Sequence, residues 1–460
     1  MSGGDDGDDG DDGETPTPHP PRINLVRQIA TRLRGSTIAA LYDQGVQSAL
    51  NFLAVLLMVR AVDRGSDTLG TAADDVPDFV LTIAALQVVM AVHRSLVVLP
   101  FIMTQSRDDS ESDAGGWWVL NLGFVVVSAT VLAGVWMLLA SVPSLAAFER
   151  VGWFSLVLCP AVVAYEFGRR WMYQIERYAF SNLAATLMGL GYASGIAVTS
   201  FSGGGAAATV YGYATGSAVA ALVLAGFFLG HLRWSHHTWR DLRPLLPAQG
   251  WHLLSSLANM SYTTALPLLI PFFGSKEVAG TYGAIRQLVN PVLTARTALD
   301  SVEKPKAAKA LGRDGVPAMQ RVLRQMRTRL LALGGPALLV MALFGPAVLD
   351  WYGKRYDGTY PVLLASIGAV LMILVAQPYE SRLVLTRNSR ALLWAKIASG
   401  GFGVLTLALL VPPLGPLGAA IASLAAGVSS YAAMKLFCRA DDRRLSGQPE
   451  LPEHAATEKT

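Results

Sequence analysis

The sequence has few charged residues and only two cysteines. Charged residues make up 15% of the 460 residues, against about 25% in a typical soluble protein, which argues against a water-soluble globular fold. Cys159 lies within a long apolar run and Cys438 at the end of another, so we expect neither a disulfide nor a redox centre. The seven histidines are scattered, without carboxylates or thiols at ligand spacing, so we expect no metal and no other cofactor.

A phosphate-binding loop and a signal peptide are also missing. The chain lacks the glycine-rich phosphate loop of nucleotide hydrolases, which excludes ATP hydrolysis by this mechanism. We predict that the protein is not an enzyme. Residues 1–14 are mainly Asp and Gly and include seven acids, with no apolar stretch of a signal peptide. The repeat lacks the spaced ligands and closing glutamate of an EF-hand loop, and we predict that it is disordered. Without these acids the formal net charge of +4 becomes about +11.

Long apolar runs dominate what remains. Hydrophobic residues make up 52% of the chain, the mean hydropathy is +0.40, and about 20 apolar residues suffice to cross a bilayer as a helix. We therefore predict an all-α integral membrane protein with twelve transmembrane helices in two six-helix bundles around a central cavity. The predicted spans are 38–60, 77–100, 117–140, 150–168, 180–200, 207–230, 250–272, 278–298, 330–349, 360–381, 391–412 and 415–437.

The distribution of Lys and Arg predicts the orientation. With both termini in the cytoplasm, the cytoplasmic segments hold 26 Lys and Arg and the external segments hold six. This bias follows the positive-inside rule and requires an even number of spans. The loop 104–116 alone gives no positive signal, because Arg107 lies there among four acids.

The same pattern predicts the domain organisation. The long basic loop divides the spans into six plus six, as in many secondary transporters, and the 314–329 segment has apolar residues at helical spacing with arginines between them. The predicted units are a cytoplasmic tail and basic segment (1–37), an N-terminal bundle (38–230), a linker (231–249), a C-terminal bundle (250–437) with an amphipathic loop helix on the inner leaflet (314–329), and a cytoplasmic tail (438–460).

Polar residues inside predicted spans are expensive and mark candidate sites. Asp43, Gln47 and Asn51 follow each other at spacings of four and so form a polar stripe on one helix face. His93 and Arg94 lie at a similar depth on the second span, so we predict that Asp43 pairs with one of them. The pair is either an inert clamp between two helices or an ion-coupling site.

A second group of polar residues lies in the second half. Arg286 and Gln287 precede Asn290 and Pro291 near mid-depth, and no carboxylate is evident at the depth of Arg286. A guanidinium binds phosphate bidentately, so Arg286 is either the ligand of an anionic substrate or a hydrogen-bonded packing residue. Asn259 belongs to a polar face of the preceding span that suits sugar hydroxyls or helix packing.

Two segments resemble the polysaccharide flippase family of the multidrug/oligosaccharidyl-lipid/polysaccharide exporter superfamily. The segment 41–52, LYDQGVQSALNF, carries a D-Q…S…N-F stripe before an apolar run that closes with Arg60. The segment 280–291, GTYGAIRQLVNP, is similar to the G-x-Y-x-A…P pattern of the second half. The acidic stretch 66–78 departs from the family, which has a glycine-phenylalanine step there.

The resemblance implies a V-shaped pair of bundles whose cavity opens alternately to each side of the cytoplasmic membrane. The implied cargo is an isoprenoid-pyrophosphate-linked oligosaccharide for cell-surface polysaccharide synthesis. Arg286, Arg94, His93, Gln287 and Asn259 would bind it. The implied partners are membrane lipids and the polymerase or glycosyltransferases of the same pathway, with no nucleic acid, and we expect a monomer.

Three other functions remain open from the sequence. A cation-coupled multidrug exporter of the same superfamily would use Asp43 as a proton or sodium site, although Arg94 and Arg286 suit cationic drugs poorly. A membrane-embedded polysaccharide polymerase would need a long external catalytic loop, and the longest predicted external loop has about sixteen residues. A non-transporting scaffold would carry buried charges without a use for them.

Overall fold

The computed structural model describes residues 42, 45–60, 72–101, 114–175, 177–202, 204–229, 243, 246–260, 263–386 and 388–446. All regular elements in these residues are helical. The main helices are α1 (Gly45–Arg60), α2 (Ala72–His93), α3 (Ala114–Ser141), α4 (Glu149–Gln174), α5 (Tyr178–Ser202), α6 (Gly205–Leu229), α7 (Leu246–Met260), α8 (Lys276–Tyr352), α9 (Tyr360–Leu385), α10 (Ser389–Leu414) and α11 (Pro416–Ser446).

Nine helices in the described ranges are long and apolar enough to cross a membrane. The predicted all-helical, multi-pass membrane fold is therefore confirmed. The number of twelve spans, the orientation of the termini and the domain boundaries remain predictions.

The helices form two groups that meet around a cleft. In the first group, α6 packs on α4 and α5, and α2 and α3 pack on α4; in the second, α11 packs on α9 and α10, and α8 packs on α9. The groups meet mainly where α2 contacts α7 and the beginning of α8. Close approach of α5 and α6 depends on facing glycines, since a Cβ at Gly191 would lie 2.4 Å from Gly216 Cα.

Helix α8 differs from the two separate spans and the loop predicted for this region. It runs from 276 to 352 with one non-helical residue, Gly315, at φ 74°, a conformation that favours glycine. The chain reverses there, because Arg329 Nη1 on the returning arm lies 2.5 Å from Glu303 Oε1 on the first. The two arms, 276–314 and 316–352, thus form a helical hairpin.

The predicted amphipathic segment begins the second arm of this hairpin. Met319, Leu323 and Met326 are buried, whereas Arg324 and Arg327 are exposed. The apolar face is therefore covered by protein. The sequence pattern indicated a helix with one apolar face, but periodicity alone does not distinguish a membrane surface from a neighbouring helix.

The predicted span 250–272 is broken. Helix α7 ends at Met260, residues 263–265 form a turn, and the short helices Leu266–Leu269 and Ile270–Phe272 follow. Pro267 and Pro271 each stand in the first turn of one short helix, where a missing N–H is tolerated. A break at this depth leaves backbone carbonyls that need partners.

Candidate functional site

A cleft between the two helical groups is the candidate site. It consists of two adjoining cavities of about 240 and 360 Å³, which share Gln87, Thr264, Arg286, Leu293 and Thr297 in their walls. The first is bordered by α1, α2 and the first arm of α8. The second extends to α7, α9, α10 and α11.

Positive charge dominates the walls of the larger cavity. Its lining contains the cations Arg94, Arg286, Arg296 and Lys396, and one acid, Glu380. Four cations against one carboxylate, in surroundings of low dielectric constant, favour an anionic ligand over a cationic one.

Arg94 enters the cleft from a π-helical turn that continues α2 over Arg94–Val98. Such turns widen a helix locally and are frequent at functional sites. Its guanidinium lies 3.2 Å from Glu166 on α4, and its side chain is 47% exposed. Glu166 is buried and also contacts Arg169 and Arg170. Arg94 therefore has a carboxylate partner that the sequence did not reveal, while the predicted partner Asp43 lies outside the described residues.

His93 does not line the cleft, in contrast to the predicted role. It is fully buried, and its Nε2 lies 2.8 Å from Asn121 Oδ1 on α3, with its ring against Phe124. The side chain of His93 is directed toward α3, whereas that of Arg94, the next residue of the helix, lines the larger cavity. Here His93 joins α2 to α3 within the first group.

Arg286 lies in the wall common to both cavities, as the anion hypothesis requires. Its Nη1 donates to the carbonyl oxygen of Thr263, in the break that follows α7. The structure thus gives Arg286 a neutral backbone partner, and no carboxylate of the described residues lies within ion-pair distance of it. Gln287 lines the same wall and accepts a hydrogen bond from Asn290.

Lys396 and Asn259 meet at the end of α7. Lys396 Nζ on α10 donates to Asn259 Oδ1 at 2.6 Å and lies 2.9 Å from Glu380 Oε2 on α9. The lysine side chain is 4% exposed and the glutamate 22%. Two cavity cations, Arg286 and Lys396, therefore hold the broken end of α7 from two different helices.

Arg296 is a cavity cation that sequence reasoning missed. Its Nε donates to Gln377 Oε1 at 2.7 Å, and Gln377 in turn donates to Asp300 Oδ1 at 2.8 Å. Arg296 stands ten residues after Arg286, about 2.8 helical turns, so the two side chains point about 80° apart on α8, and both line the larger cavity. Both arginines lie within the predicted span 278–298, but only Arg286 was singled out there as a candidate ligand.

The polar stripe of α1 is divided between the cavity wall and the first helical group. Gln47 and Asn51 line the smaller cavity. Gln47 also donates to Tyr213 at 2.7 Å, and Asn51 accepts from Tyr192 at 2.8 Å. The two tyrosine rings stack at 4.3 Å. Gln47 and Asn51 therefore face protein rather than lipid, and both amides have tyrosine partners.

An ionic cluster closes one end of the cleft. Asp78 on α2 is fully buried and pairs with Lys276, the first residue of α8, and with Arg150 on α4 at 3.2 Å. Arg150 also lies 2.8 Å from Asp75. Beside the cluster, a Cβ at Gly280 would lie 2.6 Å from Pro77, so α2 and α8 are in direct contact there.

The chain matches no protein-family model and no curated protein sequence at a significant level. Solved structures do resemble it over nearly its whole length. The crystal structure of MATE in complex with MaL6 covers 91% of this chain and 97% of its own, at 17% identity and a TM-score of 0.62. The structure of the lipid II flippase MurJ in an inward closed conformation covers 88% of this chain and 87% of its own, at 11% identity and a TM-score of 0.64.

The chain therefore shares its fold with these solved structures. A third solved structure is a MOP superfamily transporter from Pyrococcus furiosus whose binding pocket is described as reversed in polarity. It covers 90% of this chain and 95% of its own, at 16% identity and a TM-score of 0.61. Identities this low establish the architecture alone; the substrate has to be argued from the residues of the cleft.

Proposed function

We propose that this protein is a transporter of the cytoplasmic membrane that flips an isoprenoid-pyrophosphate-linked oligosaccharide for cell-surface polysaccharide synthesis. The observation that carries the proposal is the charge of the larger cavity, where Arg94, Arg286, Arg296 and Lys396 face one acid. A pyrophosphate offers several anionic oxygens to such a group. The amides Gln87 and Asn259 line the same cavity and suit sugar hydroxyls.

The contacts of the cations suggest how binding moves the protein. Arg286 and Lys396 donate to Thr263 and Asn259 on either side of the break after α7. A pyrophosphate that takes up these donors competes with both contacts, and the broken end of α7 is released. A ligand shifts a conformational equilibrium only if it binds one of the two states more tightly. Here the pyrophosphate would bind more tightly to the state in which Arg286 and Lys396 have left Thr263 and Asn259, and this difference in affinity would drive alternating access.

The oligomeric state, the partners and the membrane orientation of the carrier are also part of the proposal. We propose that the carrier works as a monomer beside the polymerase or glycosyltransferases that use its cargo, with the two termini in the cytoplasm. The sugar-bearing headgroup enters the cleft, and the isoprenoid tail stays in the surrounding lipid.

A cation-coupled multidrug exporter is the second candidate. Glu380 in the cavity wall is the observation that favours it, since a membrane carboxylate can bind a proton or a sodium ion. In this alternative, Lys396 leaves Glu380 when the coupling ion arrives. The three arginines of the same cavity oppose a cationic drug, which makes this the weaker candidate.

Reconstitution into proteoliposomes tests the proposal directly. The assay follows translocation of a fluorescent undecaprenyl-pyrophosphate oligosaccharide by wild type and by Arg286→Ala. We expect wild-type flipping and a loss of at least tenfold in the variant, because a charge-assisted hydrogen bond to phosphate contributes about 1.5–3 kcal/mol. Arg313→Ala removes an exposed guanidinium outside the cavity and should keep the wild-type rate.

The second candidate makes the opposite set of predictions. Wild type would not flip the lipid-linked sugar but would export a cationic dye along an imposed proton or sodium gradient. Glu380→Gln would abolish that export. If dye export depended on the ion gradient and on Glu380, with normal protein levels in the variant, the protein would be assigned as a multidrug exporter and not as a flippase.

A further inference from the structure

A separate pocket lies between the hairpin of α8 and the end of α9. It has a volume of about 310 Å³, and three arginines line it: Arg324 and Arg327 from the second arm of α8, and Arg382 from α9. Its remaining walls include the phenol of Tyr379 and the apolar side chains of Leu323 and Pro378. None of these residues belongs to the walls of the central cleft.

The charges of this pocket have one sign. The described residues that line it include three guanidinium groups and no carboxylate. Arg382 is only 7% exposed, so one of the three is fixed within the protein, whereas Arg324 and Arg327 are exposed one helical turn apart. Two like charges at this spacing repel each other without a counter-ion, and an anion placed between them removes the repulsion.

The depth of the pocket indicates the class of anion. Tyr379 and Arg382 stand in the last two turns of α9, just before this apolar helix ends at Leu385. Arg324 and Arg327 precede the apolar part of the second arm, which begins near 330. The pocket therefore lies where apolar helix surface gives way to polar surface, which is the level of lipid headgroups.

We propose that this pocket binds the phosphodiester of an anionic phospholipid. The arginines contact the phosphate oxygens, and Leu323 and Pro378 border the first carbons of the lipid. Basic pockets between transmembrane helices are a known means of selecting anionic headgroups. Such a lipid would tie the hairpin to α9 and to the bilayer, independently of what the central cleft carries.

Lipid nanodiscs provide the test. The full-length protein is placed in phosphatidylcholine nanodiscs with and without phosphatidylglycerol, and the thermal midpoint and the number of phosphatidylglycerol molecules retained in native mass spectra are recorded. Wild type should be stabilised by phosphatidylglycerol. The double variant R324Q/R327Q should lose most of this shift and bind the lipid at least about tenfold more weakly, since it removes two of the three positive charges that line the pocket.

Matched variants make the result specific. R313Q/R321Q removes the same charge from exposed sites of the same hairpin that do not line the pocket, and should behave as wild type. Equal losses in both double variants would overturn the proposal, because a diffuse surface charge would then explain the effect. An equal thermal shift with inorganic phosphate in phosphatidylcholine nanodiscs would also overturn it, since the ligand would then be a soluble anion.

Discussion

Lys276, the first residue of α8, forms an ion pair with the buried Asp78 of α2 and so joins the two halves of the chain at one end of the cleft. Arg150 approaches the same carboxylate at 3.2 Å, and Lys276 also donates to the carbonyl oxygen of Ala147 at 2.9 Å. The contact crosses the interface that must separate if the cleft opens at this end. The cluster therefore stabilises the state in which this end is closed.

Lys276→Gln should shift the population toward the open state. Arg150 remains with Asp78, so we expect a loss of about 1–2 kcal/mol, which changes the population ratio about 5- to 30-fold. Spin labels at Glu149→Cys and Glu277→Cys, two exposed sites beside the cluster, should report a new longer distance. Lys354→Gln, at an exposed lysine of the same end, should leave the distances unchanged; a similar change there would contradict the assignment.

Glu166→Gln should destabilise the first helical group strongly. The carboxylate is buried and contacts Arg94, Arg169 and Arg170, and removal of one partner from a buried ion pair costs about 3–5 kcal/mol. Thermal unfolding in detergent should show a clearly lower midpoint. Glu149→Gln, at an exposed position of the same helix, should change the midpoint little, and equal effects at the two sites would rule out this explanation.

Gly191→Ala should separate α5 from α6. The new Cβ would lie 2.4 Å from the backbone of Gly216, and no rotamer change relieves a clash with backbone. Overpacking of this kind costs about 1–3 kcal/mol. Gly123→Ala meets nothing within 4 Å and should be neutral or slightly stabilising, because alanine favours a helix more than glycine does. Thermal unfolding of the two variants is the measurement, and the midpoint of Gly191→Ala should be lower than that of Gly123→Ala.

Lys396→Met should destabilise the protein by leaving Glu380 without its close cation. The double variant Lys396→Met/Glu380→Gln removes both charges and should recover most of the lost stability, because neutral replacements of a buried pair are often tolerated. Under the flippase proposal it should still transport poorly, since a cavity cation is missing. Recovery of both stability and transport would assign the pair a purely structural role.

Hydropathy was sufficient to predict the membrane class and the positions of most helices. A run such as 117–140 contains no charged residue, and it became α3. The break after α7 was not predicted, because Pro267 and Pro271 lie in a segment apolar enough to be one span. A proline can kink, end or begin a helix. Which of these occurs depends on the residues packed around it in space, and the hydropathy pattern of the sequence does not give those residues.

Side-chain partners were predicted less well than helices. Arg286 was singled out as a candidate anion ligand and lines both cavities, but its contact with Thr263 depends on a break that was not foreseen. For Arg94 or His93 we predicted the partner Asp43, which lies outside the described residues; Glu166, 72 residues from Arg94 on α4, is a partner of Arg94 that was not predicted. Depth follows from position in the sequence, whereas the direction in which a helix faces follows from packing.

The hairpin of α8 extends well beyond the bilayer. Its first arm, from 276 to 314, is about 58 Å long at 1.5 Å per residue, against about 30 Å for the hydrocarbon core. The part of the arm that projects from the membrane moves with the second helical group, and its displacement grows with its distance from the membrane. A rotation of that group by about 10° would displace a tip about 25 Å outside the membrane by about 4 Å. A label at the exposed Arg313 would thus magnify rearrangements of the cleft that are too small to follow at the cleft itself.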